Sequence, residues 1–333
     1  MTDVLCIGEL LVEFVADTNN VPLSRSPGFI KAPGGAPANV AVALSRLGVK
    51  SGFMGKVGDD PFGLFLKDCL EADNVDTSTL YRAAGTRTTA VFTAVWDDGH
   101  KDLCFYRNPG ADMMLSPDEI DESLFTNLRG FHFGSITFID EPSCSAQRKA
   151  IEFARRNEVM ISYDPNYRPT LWPNAQLARQ TIQDAYRYCH LAKISDEEWS
   201  VATGCDDFET GVKAVLDKGV ELLVVSKGDK GAIATNGDYL IEVPAVEVDV
   251  VETTGAGDGF LAAVISELLP ERERLGSLAR IPAQKIEKTL RLANAVGAYA
   301  CTKPGAIPAL PNSAEVEQFL NRNQLLKTDS WED

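Results

Sequence analysis

The residues Glu252-Thr253-Thr254-Gly255-Ala256-Gly257-Asp258-Gly259-Phe260 run directly into the apolar stretch LAAVISELL. Small residues let backbone N–H groups come close to an anion, and the start of a helix adds partial positive charge there. Asp258, in the first turn of the predicted helix, faces the same anion site. Transfer of a phosphoryl group to a hydroxyl needs such a base, together with donors for the charge on the moving oxygens. Taken alone, the segment also reads as an ordinary glycine turn in which Asp258 only complements the helix dipole. It is not a dinucleotide fingerprint, because Phe260 stands where the third glycine would be, and no GxxxxGK[ST] loop occurs in the chain.

A second group opens the first predicted helix: Pro33-Gly34-Gly35-Ala36-Pro37-Ala38-Asn39. Two adjacent glycines allow a ligand to approach the backbone, and the Asn39 amide can both donate to and accept from hydroxyls. A tight turn with a helix cap explains the same residues without a ligand. Asp164, Asn166 and Arg168 lie in DPNYR just after a predicted strand, where α/β proteins place ligand contacts. An Asx-type bond that holds the loop is the competing role for Asp164. Ser195-Asp196-Glu197-Glu198 has the pattern of a capping box, with Ser195 as N-cap and Glu198 reaching back.

These groups must be positioned by regular elements, and the sequence marks most of them. VLCIG and LLVEFVA predict two successive strands, and 37–48 predicts a helix with Pro37 near its start and Gly48 at its end. Segment 87–107 predicts two strands about the turn Asp97-Asp98-Gly99. From FHFGSI onward, short apolar strands alternate with amphipathic helices: SCSAQRKAIEFARRN, VMISYD, AQLARQTIQDAYRYC, HLAKI, DDFETGVKAVLDKG and ELLVVS. That alternation predicts a parallel sheet covered by helices. GDYLIEVPAV predicts a hairpin partner ahead of the glycine-rich turn, and two helices, about 283–301 and 313–323, complete the chain. The expected architecture is one Rossmann-like three-layer α/β/α domain over 1–333, with a small β-sheet lid from about 10–35 and 87–112. Val91, Phe92 and Phe105 are expected on one apolar face of the lid, covered by a second copy in a homodimer.

Composition narrows the function classes. The 333 residues are 44% hydrophobic and 24% charged, ordinary for a globular protein. The longest apolar runs, Val40 to Leu44 and Phe260 to Ile265, fall far short of the ~20 residues that span a bilayer. The N-terminus has no basic leader and is interrupted by Glu9 and Glu13, so the cytoplasm is the expected location. A net charge of −16 disfavours nucleic acid and anionic membranes as partners. The seven cysteines are scattered with no CxxC spacing and read as reduced thiols, and three distant histidines leave little for a His-based metal site.

PGGAPANVAVALSRLG, followed by GKVGDDPFG, and TTGAGDGF far downstream resemble the two signatures of the ribokinase-like (phosphofructokinase B-type) carbohydrate kinases. The resemblance continues through FYRNPGADMML, YDPNYRPTLW, KISDEEW, VVSKGDKGA and ANAVGAYACTKPGAIPALP, essentially the whole chain. Within that family the combination is most similar to the bacterial fructokinases.

The resemblance implies ATP-dependent phosphorylation of a sugar, fructose first, with 2-keto-3-deoxygluconate and aminoimidazole riboside as alternative substrates. A non-catalytic sugar sensor is the alternative of another class. Asp258 takes the position of the catalytic base, and Gly255, Ala256 and Gly257 that of the anion hole. Gly34, Gly35 and Asn39 match the sugar-binding turn, and Glu13 stands where relatives usually carry a sugar-binding Asp. Arg107 matches a sugar contact from the lid, with a solvated strand residue as its other reading. Asp164 and Asn166 fall with the substrate contacts, and Arg168 is expected to clamp phosphate with its guanidinium fork. Ser195, Lys227, Gly228, Asn294 and Gly305 match the nucleotide surface. Glu198 matches the residue that orients the Mg²⁺ shell. Glu252 replaces the usual Asp of a potassium site, which carbonyls of Thr254, Ala300 and Gly305 would complete.

Overall fold

The computed structural model describes residues 1–96 and 101–323, so the turn expected at Asp97-Asp98-Gly99 lies outside the described residues. The chain opens with β1 (Val4–Ile7), β2 (Leu11–Ala16) and β3 (Phe29–Gly34), then α1 (Ala36–Arg46), β4 (Ser51–Gly58), α2 (Pro61–Ala72) and β5 (Leu80–Ala83). Two further strands follow, β6 (Ala90–Val95) and β7 (Lys101–Tyr106). The alternating half comprises β8 (Gly130–Gly134), α3 (Ser143–Arg156), β9 (Met160–Asp164), α4 (Ala175–Ala185), β10 (Leu191–Ser195), α5 (Trp199–Thr203), α6 (Phe208–Leu216) and β11 (Leu222–Ser226). It closes with the hairpin β12 (Ala232–Thr235) and β13 (Leu240–Val243), then α7 (Ala256–Leu275), α8 (Ala283–Cys301) and α9 (Ser313–Arg322).

Nine strands form the central sheet in the order β13-β12-β11-β10-β9-β8-β1-β4-β5. From β11 to β5 every pairing is parallel, and only the β12–β13 hairpin at the edge runs antiparallel. Helices cover both faces because the strands are apolar on both. In β1, Val4 and Cys6 join the core beneath α1, α2, α7, α8 and α9, while Leu5 and Ile7 join the core beneath α3 to α6. This is period-two alternation with both sides buried, the reason such strands read as continuous apolar runs.

Four strands form a second sheet in the order β3-β2-β6-β7. Its register places Glu13 opposite Val91, and Val91 opposite Phe105; the next row joins Phe14 to Phe92. Val91 and Phe105 therefore line the cleft between the two sheets together with Glu13. Phe92 instead lies on the outer face, stacked on Phe14 at 5.0 Å and edge-on to Phe29 at 5.2 Å. The three apolar residues expected on one face are thus divided between two, because successive strand residues point to opposite sides.

The glycine-rich turn does not follow a strand directly. β13 ends at Val243, and residues 244–255 form an irregular run. That run is held where the N–H groups of Val251 and Glu252 donate to the Cys301 carbonyl at the end of α8, at 2.8 and 3.2 Å.

Candidate active site

Between the sheets lies a cleft of ≈ 720 Å³, floored by the C-terminal ends of the parallel strands and by the N-termini of α1 and α7. Ligand sites outside the carboxyl ends of parallel strands are the rule for this topology. Gly255, with φ +81°, turns the chain into α7. A side chain there would press on Ala306, its Cβ 3.0 Å from the Ala306 Cα. Gly35, with φ +119°, does the same for α1; a Cβ on it would lie 2.4 Å from the Glu9 carbonyl. Both turns need glycine for backbone conformation and for close approach.

Asp258, in the first turn of α7, is buried, and its Oδ2 accepts from Asn39 Nδ2 at 2.8 Å. Burial raises its pKa to about 6; the Asn39 bond opposes the rise, Asp164 adds to it, and the charges of Lys193 and Arg168 oppose it. Lys193, on β10, is buried and donates to Asp164 Oδ2 at 2.9 Å. Burial alone would lower the Lys193 pKa, but Asp164, Glu198 and Asp258 outweigh it, and the ammonium is held above its ordinary value. The Lys193 Nζ lies 3.3 Å from the Cβ position of Gly257. A fixed positive charge therefore sits directly under the turn whose backbone N–H groups open α7.

Other expected residues also meet in the cleft. Glu13 accepts from Thr93 Oγ1 at 2.8 Å, and burial raises its pKa. The Arg107 side chain is only 6% exposed and is paired with Asp112 at 2.7 Å, so it is not a solvated strand residue. Arg168 lines the cleft, and one of its guanidinium nitrogens donates to the Tyr167 carbonyl at 3.3 Å. Gly34, Gly35, Asn39, Asn166, Ser195 and Thr254 also contribute to its walls. Asn166, with φ +45°, donates its N–H to Asp164 Oδ1 at 3.1 Å, so the Asx turn and the Lys193 pair share one carboxylate.

The capping box is present. Glu198 Oε1 accepts from the Ser195 N–H at 2.9 Å, while Oε2 accepts from the Tyr167 N–H at 2.9 Å. Burial and Asp164 raise the Glu198 pKa. Glu252 accepts from the Gly305 N–H at 2.7 Å, from Thr254 Oγ1, and from Lys101 Nζ at 3.4 Å. Ala300 is buried within α8. Glu252, Ala300 and Gly305 do not line the cleft themselves, and neither do Lys227, Gly228 and Asn294. Lys227 pairs with Glu242 at 2.8 Å, Gly228 follows it at φ +55°, and Asn294 donates to the Pro244 carbonyl at 2.8 Å.

Lys193, Lys101 and Glu9 line the cleft without having been singled out from the sequence. The available signals were a lysine inside the apolar strand HLAKI and a glutamate inside IGELLVE. A charge in an apolar strand needs a partner when buried. Glu9 shows why: its Oε1 accepts from the Ala36 N–H at 3.1 Å, and burial raises its pKa to about 7.

The arrangement offers a base of near-neutral pKa, an anion site at a helix N-terminus and a buried ammonium beside both. Comparison with known proteins agrees with that chemistry. The description pfkB family carbohydrate kinase matches residues 1–313. A probable fructokinase-4 of Arabidopsis thaliana is 42% identical over 322 residues, covering 96% of this chain and 97% of that protein. The structure of fructokinase with bound ATP from Xylella fastidiosa superposes with a TM-score of 0.86 at 29% identity, covering 97% of this chain and all (100%) of that one. A double mutant of the Vibrio cholerae fructokinase, bound to fructose, ADP and a potassium ion, superposes at 0.84 with 31% identity, covering 96% and 98%. The chain is a ribokinase-fold phosphotransferase and belongs to the pfkB family of carbohydrate kinases.

Proposed function

We propose that the protein is an ATP-dependent fructokinase that converts D-fructose and ATP to fructose 6-phosphate and ADP, acting as a single kinase unit. The observation that carries this reading is the buried Asp258, held by Asn39 at 2.8 Å and raised to a pKa of about 6 at the N-terminus of α7. Fructokinase relatives at this level of identity over nearly the whole chain supply the choice of sugar.

In this reading the sugar lies between the lid and α1, against Glu13, Gly34, Gly35, Asn39 and Arg107, with Asp164 and Asn166 beneath it. Asp258 takes the proton of the primary hydroxyl. The hydroxyl oxygen forms the new bond to the γ-phosphorus in line as the bond to the β,γ-bridging oxygen breaks and ADP leaves. Charge on the transferring oxygens meets the N–H groups of Gly255, Ala256 and Gly257 and the cations of Lys193 and Arg168. Ser195 and Gly305 would face the nucleotide. Lys227, Gly228 and Asn294, beyond the cleft wall, would act by holding the β12–β13 hairpin and the chain at Pro244 in place.

Mg²⁺ is the divalent ion of this reading, and bound with ATP it would shield the β- and γ-phosphate charge. Among the described residues no group of three metal-binding side chains is found, and both Glu198 oxygens already accept backbone N–H groups. These donors suit an ion carried by the phosphates, which keeps several waters, with Glu198 orienting its shell.

The outer face of the lid carries Phe14, Phe29, Phe92 and Tyr106 in one ring-contact cluster, with Phe29 37% and Tyr106 67% exposed. A second copy covering this face would make the protein a homodimer. Sedimentation at micromolar concentration should then give twice the chain mass, and a monomer would reject the pairing. No helix among the described residues is long and apolar enough to cross a membrane. The net charge of −16 supports a reading without nucleic-acid or anionic-membrane partners, and the cytoplasm is the location we propose.

The deciding experiment is coupled ADP release with ATP, Mg²⁺ and a panel of fructose, 2-keto-3-deoxygluconate and aminoimidazole riboside. Turnover on fructose well above the others is expected. Preference for another sugar would reassign the lid contacts, and ATP binding without turnover on any sugar would overturn the kinase reading in favour of a sensor.

A further inference from the structure

Lys101 stands at the start of β7, on the edge strand of the small sheet, and its side chain leaves that sheet. It crosses the mouth of the cleft and donates to Thr254 Oγ1 and, at 3.4 Å, to Glu252 Oε1. Both acceptors immediately precede the Gly255-Ala256-Gly257 turn. Glu252 is itself fixed on its other side: Oε2 accepts from the Gly305 N–H at 2.7 Å, and Thr254 donates its hydroxyl to Oε1. Gly305 in turn precedes Ala306, which packs against Gly255. One lid ammonium, one carboxylate, one hydroxyl and one backbone N–H thus form a closed network around the anion turn.

Its surroundings argue against a solvated surface pair. The Lys101 side chain is 26% exposed and that of Glu252 16% exposed, intermediate rather than free in water. Lys101 also bears electrostatically on Glu13, the lid carboxylate at the sugar end of the cleft. The same ammonium therefore faces a sugar-side carboxylate and a phosphoryl-side carboxylate.

We infer that Lys101 is a positioning residue that latches the lid to the phosphoryl-transfer turn through Glu252 and Thr254, so that sugar captured under the lid and the anion hole are brought into register together. The inference rests on the kinase reading above.

The test is a double-mutant cycle with Lys101→Met, Glu252→Gln and the pair, plus Lys101→Arg, each assayed for kcat and KM of fructose. Lys31→Met serves as control, since Lys31 lies over the Phe65 ring at 3.6 Å on another part of the lid. Directly coupled groups interact by enough to change rates roughly 10- to 100-fold, so Lys101→Met and Glu252→Gln should each lower kcat/KM by about that factor. The double variant should lose no more than about threefold beyond the worse single one. Lys101→Arg should recover most of the loss, and the control should stay within about twofold. Hydrogen exchange of the β6 and β7 amides, measured on the free protein, should quicken about fivefold or more in Lys101→Met while β8 to β11 stay unchanged, because only the lid would open.

Losses that multiply in the double variant, a Lys101→Met enzyme within twofold of wild type, or unaltered lid exchange would each overturn the latch. A wild-type protein silent on every sugar would instead remove the kinase reading, and lid exchange would still decide whether Lys101 holds the lid.

Discussion

Replacing Asp258 by asparagine keeps the size and shape of the side chain and leaves an oxygen to accept from Asn39 Nδ2, now 2.8 Å from the carboxylate. What it removes is the site that takes the proton. Loss of a general base costs about 10²–10⁴ in rate, equivalent to about 3–5 kcal/mol of transition-state stabilisation. The fold should not suffer. Burial raises the Asp258 pKa from 3.8 to about 6, so holding the carboxyl ionised at neutral pH costs the folded state roughly 3 kcal/mol. For an acid whose folded pKa lies above its unfolded one, that penalty is absent below pH 3.8 and complete above about pH 6. Asparagine never ionises, so the variant should melt no lower than wild type at pH 7. In the coupled ADP-release assay, wild-type kcat/KM should rise with pH to a plateau above about 6, following ionisation of the base. The variant should show kcat reduced at least about 100-fold, KM nearly unchanged and no such limb. A variant that kept more than about a tenth of wild-type kcat, or a wild-type profile flat from pH 5 to 8, would refute the assignment of Asp258 as base.

Lys193→Met should leave Asp164 buried without its 2.9 Å partner and destabilise the protein by about 3–5 kcal/mol in denaturant unfolding. Because the Lys193 charge lowers the Asp258 pKa, the same variant should move the acid limb of the pH–rate profile to higher pH. Asp60 caps α2 by accepting from the Phe62 and Gly63 N–H groups at 3.0 and 2.9 Å, and it also accepts from the Thr88 N–H at 2.8 Å. Asp60→Ala should therefore cost about 1–2 kcal/mol while kcat stays within about twofold. Burial raises the Asp60 pKa, but these hydrogen bonds outweigh it and the net shift is downward. Its contribution is thus fully present above its ordinary value of 3.8 and is lost as pH falls below it, so wild type and Asp60→Ala should converge in stability in acid.

The sequence by itself determined the local pieces. Gly255 to Asp258 before an apolar helix, the double glycine at 34–35 and the Ser195–Glu198 capping box each depend on neighbours within about one helical turn, where propensity and capping chemistry act directly. Strand and helix alternation from residue 130 onward was legible for the same reason, since periodicity survives whatever the element packs against. Tertiary structure decided which pieces meet. Asn39 and Asp258 are 219 positions apart, and Lys101 and Glu252 are 151 apart. No local pattern encodes such pairs, because they follow from strand order and from how the small sheet lies over the large one. The division of Val91 and Phe92 between cleft and outer face belongs to the same class: alternation assigns them to opposite sides, but only the placement of the lid names the side that faces the cleft. Lys193 shows the limit most plainly, for a lysine in an apolar strand signals a buried charge, while its partner Asp164 and its place under Gly257 exist only once β9, β10 and α7 converge.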